Sequence, residues 1–250
     1  MIPADDRGLT LGDGLFETIL ARDGALVLLD EHLARMERGC AALDLPAPDL
    51  AQARRLCEEA ADTVAGRAAV RLTLTAGSGG RGLDRLAEPV PRLVATASPA
   101  PRPDTPAVLV TSTVRRNEGS PVSRLKTLSY LDNVLAREEA RAAGGDEALM
   151  LNNVGEVACA AAANIFWLRG ERLFTPALAC GALDGIMRAQ VMKAGEVTEI
   201  HAGRAELNEA EAIFLTSSLI GLRPVGVLDG VTLGSNAVVE QLSKALESLA

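Results

Sequence analysis

The sequence predicts an α+β fold in two lobes, and two observations carry that reading. Strand-like and helix-like patterns follow one another without the regular βαβ alternation of a parallel sheet. A proline-rich segment, SPAPRPDTP at 98–106, puts four prolines in nine residues and interrupts the chain as a linker. The expected domains are therefore 1–97 and 108–250, joined by a linker at 98–107. A chain of 250 residues has enough apolar material for two small cores.

In the first lobe DGLFETIL (13–20) is a largely apolar strand, and Arg22-Asp23-Gly24 is a hairpin turn into ALVLL. Asp30 is the expected N-cap of EHLARMERGCAAL, whose Leu33, Met36 and Cys40 have helical spacing. AQARRLCEEAADTVAG is a second helix closed by Gly66. AAVRLTLTAG alternates as a strand, GSGGRG is a tight loop and PRLVATA is a further strand. In the second lobe AVLVTSTV is a strand and TLSYLDNVLAREEARAAGG a helix with a Gly-Gly stop. DEALMLN, GEVACAA and NIFWLRG read as short strands in hairpin succession. AGRAELNEAEAIFLTSS gives a short helix and then a strand, and SNAVVEQLSKALESLA is the last helix.

Composition excludes several functions. Net charge is -8 and no basic run exceeds two residues, which leaves no electrostatic grip for nucleic acid. No apolar run reaches the ~20 residues of a membrane span, and MIPADDRGLTLGDG lacks the apolar stretch of a signal peptide. Aromatics are only 2% of the chain, so Leu, Val, Ile and Ala are expected to build the core. No pair among Cys40, Cys57, Cys159 and Cys180 has metal-ligand spacing, and Cys40 and Cys57 read as small buried hydrophobes. A reduced, cytoplasmic setting without a metal is the expectation.

Lys126 is the first candidate for chemistry. It lies in SRLKTLSYLDN, after the polar loop RRNEGSPVS and before a helix. A lysine in such a place is ordinarily a solvated surface residue. The functional alternative is a lysine partly buried, its amine neutral enough to form an imine. Its immediate neighbours do not choose between the two.

The wider sequence does. GDGLFET (12–18), EHLARM (31–36), GSGGRGL (77–83), KTLSYLDNVLAREEA (126–140), DEALMLN (146–152), NIFW (164–167), GIMR (185–188) and FLTSSLIGLRPV (214–225) occur in that order. Together they resemble the fold-type IV enzymes of pyridoxal 5'-phosphate (PLP). That family includes branched-chain and D-amino-acid aminotransferases and 4-amino-4-deoxychorismate lyase. The resemblance covers nearly all of the chain. It implies two α+β domains with the active site in the interdomain cleft, PLP as cofactor, a small-molecule substrate and a homodimer.

The resemblance also implies roles. Lys126 matches the Schiff-base lysine and Arg35 the phosphate-binding arginine, whose guanidinium fork suits a phosphate dianion. Ile186 and Met187 occupy the turn at a helix start, where backbone N–H groups can hold phosphate. Ser218 matches the hydroxyl that completes the phosphate cup. Tyr130, the only tyrosine, lies one residue from a position that faces the cofactor in branched-chain enzymes. One position departs from the pattern. The glutamate that holds a proton on the pyridine nitrogen precedes the strand asparagine by five residues, and counting back from Asn164 gives Cys159. Glu156 is three residues further back and on a strand would face the other side. A thiol is a weak partner for the ring nitrogen.

Arg81 sits where D-amino-acid aminotransferases place an arginine that binds the substrate carboxylate. The histidine that accompanies it there is Leu83 in this chain. TAGSGGRGL and CAAAANIFW are closer to the lyase pattern. The resemblance therefore favours the lyase, which forms 4-aminobenzoate, a folate precursor, and pyruvate. A class IV aminotransferase acting on branched-chain or D-amino acids is the alternative. A catalytically degenerate binding protein of the same fold is the third reading.

Overall fold

The computed structural model describes residues 2–249. The chain folds as two compact units. The first runs to Pro101 and includes Leu125–Ser129; the second comprises Arg102–Arg124 and the chain from Tyr130 onward.

The first unit begins with a short helix, α1 (Arg7–Leu11), capped by Asp6, whose carboxylate accepts from the Gly8 N–H. Strand β1 (Gly14–Arg22) turns through Asp23 and Gly24, both with positive φ, into β2 (Ala25–Leu26). Helices α2 (Leu29–Ala42) and α3 (Leu50–Ala61) follow, then β3 (Arg67–Thr75) and β4 (Arg92–Pro99). The strands form an antiparallel sheet in the order β2-β1-β3-β4. Leu15, Ile19 and Ala21 alternate along β1 and pack with Leu33, Met36, Cys40, Ala53 and Cys57 of the two helices. Burying these apolar faces on one another is the main driving force of this unit, at about 25 cal/mol per Å² removed from water.

Asp30 is not the N-cap of α2. The helix starts at Leu29, two residues earlier than expected, after Leu28 in the left-handed conformation, and Asp30 lies in its first turn. There its charge still favours the positive end of the helix. Helix α3 ends at Ala61, and Gly66, at φ +73, serves the turn into β3 instead. Ser98 and Pro99, assigned to the linker by composition, are the last residues of β4 and pair with Ala69 and Ala68. β4 is an edge strand, the place in a sheet where a proline removes no required hydrogen bond.

The sequence placed Lys126 in the second domain, but its segment belongs to the first unit. The physical cause is backbone pairing with β1. The Phe16 N–H donates to the Lys126 carbonyl at 2.9 Å, and the Leu128 N–H donates to the Gly14 carbonyl at 3.0 Å. That pairing also shortens the predicted helix, which begins at Leu131 rather than Thr127.

The second unit contains β5 (Ala107–Thr111), a turn of helix α4 (Pro121–Arg124) and α5 (Leu131–Ala142). Strands β6 (Glu147–Leu151), β7 (Val157–Ala160), β8 (Asn164–Arg169) and β9 (Arg172–Pro176) come next. Then follow α6 (Ile186–Ala194), β10 (Val197–Ile200), β11 (Ala212–Ser217), β12 (Gly221–Leu228), β13 (Val231–Thr232) and α7 (Ala237–Ala245). The strands form one mixed sheet in the order β10-β9-β8-β11-β12-β5-β6-β7, with β13 paired to β12. β6 and β8 are almost wholly buried, as their continuous apolar runs require. The few aromatics concentrate here: Phe166 stacks on Phe214 with ring centroids 5.0 Å apart, and Trp167 packs against Phe174. The predicted α+β class holds. Among the described residues no helix is long and apolar enough to cross a membrane.

Candidate active site

Glu17 is the centre of a polar cluster buried in the first unit. It interrupts an otherwise apolar strand and faces the helices, on the side that Leu15 and Ile19 share. Its carboxylate is held by α2. Arg35 Nε donates to Oε1 at 2.8 Å and Nη2 to Oε2 at 2.5 Å, while His32 Nδ1 lies 2.7 Å from Oε2. His32, Arg35 and Gly39 succeed one another at helical spacing along one face of α2. Gly39 lets the helix approach the strand: a Cβ there would lie 2.8 Å from Leu15 Cδ1.

The charges of this cluster tune one another. Burial alone would raise the Glu17 pKa, but the charge and hydrogen bonds of Arg35, with the hydrogen bond from His32, outweigh it and hold the carboxyl at about 2. Burial pushes His32 below its usual range, against the pull of Glu17. The structure brings Lys126 to the same place. Its Nζ lies 4.2 Å from the centroid of the Phe16 ring, and the Arg71 guanidinium of β3 covers that ring at 3.8 Å. Burial, then the Arg35 charge, lowers the Lys126 pKa to about 8; Glu17 opposes the shift and Arg71 adds to it. Lys126 is thus a half-buried amine, still mainly protonated near pH 7 but with a far larger neutral fraction than a free lysine. Arg35 pairs with the Glu17 carboxylate, while Arg71 and Lys126 gather at the Phe16 ring, and these positive charges outnumber the one carboxylate and favour an anion.

Arg81 also belongs to the first unit. Gly77, Gly79, Gly80 and Gly82 all take positive φ, which explains the glycine content of this loop. Arg7 holds the loop, donating to the Leu83 carbonyl at 2.9 Å and the Asp84 carbonyl at 3.0 Å, while its Nε pairs with Asp13 at 2.9 Å. Arg81 is exposed, and its backbone is pinned by mutual hydrogen bonds with Asp84.

The remaining predicted residues lie in the second unit. Ile186 and Met187 open α6, and no side chain caps that helix start. Its first backbone N–H groups have no partner within the helix. Gly185 precedes them against Asn164, whose Nδ2 donates to the Leu183 carbonyl at 2.8 Å; a Cβ on Gly185 would stand 2.0 Å from Asn164 Oδ1. Arg188 turns away under the helix to Glu199 at 3.1 Å. α6 packs against β11, and Ser218 sits in the turn that follows this strand. Cys159 on β7 pairs with Met150 across the strands and is buried with Ala136, Ala140, Ala148 and Ala161. Burial raises its pKa, against the charge of Arg116, so the group is a thiol. Tyr130 stands at the N-cap of α5 without a side-chain capping bond.

Glu17, His32 and Arg71 were not singled out from the sequence. The available signal was a charged residue in a buried strand, and a histidine and an arginine three apart beside Leu33 and Met36.

A family model for amino-transferase class IV matches residues 14–228. The chain belongs to the class IV aminotransferase family. Members of this family among known proteins are similar to it over most of its length. A Methanocaldococcus jannaschii protein, provisionally named a branched-chain-amino-acid aminotransferase, is 32% identical over 97% of this chain and 88% of its own. The crystal structure of 4-amino-4-deoxychorismate lyase from Pseudomonas aeruginosa superposes with TM-score 0.91 at 32% identity, covering 99% of this chain and 95% of the lyase. A hypothetical aminotransferase from Mycobacterium tuberculosis, in PLP-bound form, superposes with TM-score 0.88 at 25% identity, covering 100% of this chain and 93% of that one. The class IV fold is therefore that of the fold-type IV enzymes.

Proposed function

We propose that this class IV family member is a 4-amino-4-deoxychorismate lyase, converting aminodeoxychorismate to 4-aminobenzoate and pyruvate. The chain is a PLP-dependent enzyme, and its residues suit that cofactor. Binding PLP requires an amine that is neutral at working pH and donors for a phosphate dianion. Lys126, lowered to about 8 by burial and the Arg35 charge, supplies the first through a neutral fraction far larger than a free lysine's. Arg35, the backbone N–H groups of Ile186 and Met187, and Ser218 supply the second. When bound, PLP withdraws electrons from the amine-bearing carbon of its substrate.

In this reading Lys126 would hold the cofactor through its amine, and Nζ would be the group that takes the proton from the amine-bearing carbon of the substrate. Arg35 fixes the phosphate end. Cys159 would be the residue offered to the pyridine nitrogen, and as a thiol it would keep less positive charge there than a carboxylate. The lyase reaction is driven by aromatisation of the substrate ring and tolerates that weaker partner. Arg81 binds a substrate carboxylate. The small-molecule substrate reaches a homodimer in this reading.

The observation that carries the lyase over its relatives is the loop GSGGRGL, in which Arg81 is the single cation and Leu83 fills the place of a second polar group. The similarity to the M. jannaschii protein favours the second reading, a branched-chain or D-amino-acid aminotransferase. The test is direct competition of activities. Purified enzyme is expected to form 4-aminobenzoate from aminodeoxychorismate faster than it half-transaminates D-alanine or L-leucine. Rapid half-transamination without aminobenzoate assigns it as an aminotransferase.

A further inference from the structure

Three segments of the second unit, distant in sequence, bring Glu156, Cys180 and His201 together. Their donor atoms all lie within 4.8 Å of one another. Cys180 Sγ is 3.5 Å from His201 Nδ1, which is 3.0 Å from Glu156 Oε1. We propose that these three side chains bind a divalent cation of the Zn2+ class, at a site separate from the Lys126 cluster and independent of the lyase assignment.

The donor chemistry selects the ion. A thiolate, an imidazole and a carboxylate suit a borderline-soft metal and would be a poor set for Mg2+ or Ca2+, which take oxygen. The geometry agrees. With Zn–S near 2.3 Å and Zn–N near 2.0–2.1 Å, tetrahedral angles separate sulfur and nitrogen by about 3.6 Å. The observed 3.5 Å needs almost no rearrangement.

The site is built rather than accidental. Asn152 Nδ2 donates to Glu156 Oε2 at 2.8 Å, and the Asn152 Oδ1 accepts from the Glu156 N–H at 2.8 Å. One carboxylate oxygen is thereby fixed and the other is turned to His201, an outer-sphere arrangement common around metal ligands. The backbone ties the segments together: the Val157 N–H donates to the Ala202 carbonyl at 2.8 Å, and the Ala177 N–H donates to the Ile200 carbonyl at 3.0 Å. Cys180 ends the 3-10 turn Leu178–Cys180 and is buried, whereas the His201 side chain is about half exposed. His201 thus gives the ion access from solvent and leaves a fourth position for water. Binding exchanges the Cys180 thiol proton for the metal, and the proton passes to solvent. No redox step is involved. Such an ion would clamp the turn that leads through Gly181 and Leu183 to Gly185 and the start of α6.

Cobalt(II) is the probe. Cofactor-loaded enzyme, stripped with a chelator, is expected to bind one equivalent of Co2+ with tetrahedral ligand-field absorption at wavelengths longer than the cofactor band. Zn2+ should displace that absorption and raise Tm. Cys180→Ser should abolish the band. His201→Ala alters an exposed side chain, so it should fold normally by circular dichroism yet bind Co2+ at least about tenfold more weakly and lose the Zn2+-dependent rise in Tm. No stoichiometric tetrahedral band in the wild type, or equal binding by folded His201→Ala, would overturn the proposal.

Discussion

Arg35 and Glu17 meet fork to fork, Nε on Oε1 at 2.8 Å and Nη2 on Oε2 at 2.5 Å. The arginine proposed to bind phosphate is thus already committed to a buried carboxylate. Arg35→Lys keeps the charge and loses the fork. It is expected to weaken PLP affinity by about tenfold to a hundredfold, the worth of a charge-assisted contact of about 1.5–3 kcal/mol. Cofactor titration measures this. Unchanged affinity would remove Arg35 from the phosphate site.

Glu17 links the cluster to stability. Its carboxyl is held at about 2 in the folded chain, below the ordinary 4.5. A depressed pKa contributes stability above the unfolded value and loses it as pH falls through the folded one. Wild-type stability should therefore fall from about pH 5 to about pH 2, with Glu17 accounting for at most about 3 kcal/mol of the loss. Glu17→Gln should be less stable at neutral pH, because Arg35 loses its buried partner, and should show a flatter dependence over the acid range. Urea midpoints across pH decide this; parallel curves for the two proteins would contradict it.

Gly185→Ala tests the start of α6. The added Cβ would fall 2.0 Å from Asn164 Oδ1, so the helix start or Asn164 must move. The backbone at Gly185, φ -77, is ordinary, so the cost is steric. The variant should lose about 1–3 kcal/mol and bind PLP more weakly than wild type. Equal PLP affinity would detach this turn from the phosphate.

Cys159→Glu separates two readings of the residue that departs from the family pattern. If Cys159 faces the pyridine nitrogen, a carboxylate there keeps the ring protonated, and half-transamination by an amino acid should rise while aminobenzoate formation changes less. If Cys159 only packs against Met150 and the surrounding alanines, the variant buries an unpartnered charge. It should then lose several kcal/mol or fail to fold. A lower Tm in the cofactor-loaded variant without a rate gain would remove Cys159 from the cofactor ring.

Much of the fold was legible because its signals are local. The hairpin at Arg22-Asp23-Gly24, the spacing of Leu33, Met36 and Cys40, and the strands DEALMLN and NIFWLRG each follow from a few neighbouring residues. The α1 turn and strands β9, β10, β12 and β13 were not read: β9 and β13 are short return arms of tight hairpins, while β10 and β12 depend on parallel pairing with β9 and β5. Helix propensity in TLSY was overridden in the same way, by hydrogen bonds between Lys126, Leu128 and β1. The site divides along that line. Lys126 and Arg35 were found through their motifs, whereas Glu17 and His32 became visible only once α2 packed on β1. Glu156, Cys180 and His201 carry no motif at all, because three separate segments supply them.

The central claim is that Lys126 is the covalent anchor of the cofactor, and chemical trapping tests it most directly. Apoprotein is mixed with PLP across a pH series, reduced with borohydride and digested, and the labelled peptide is identified by mass spectrometry. The account predicts label on Lys126 and a capture rate that rises through about pH 8, as the amine loses its proton. Lys126→Ala, folded by circular dichroism, should take no label at that position and show no imine absorbance. Label on another lysine, or an intact imine band in Lys126→Ala, would contradict it.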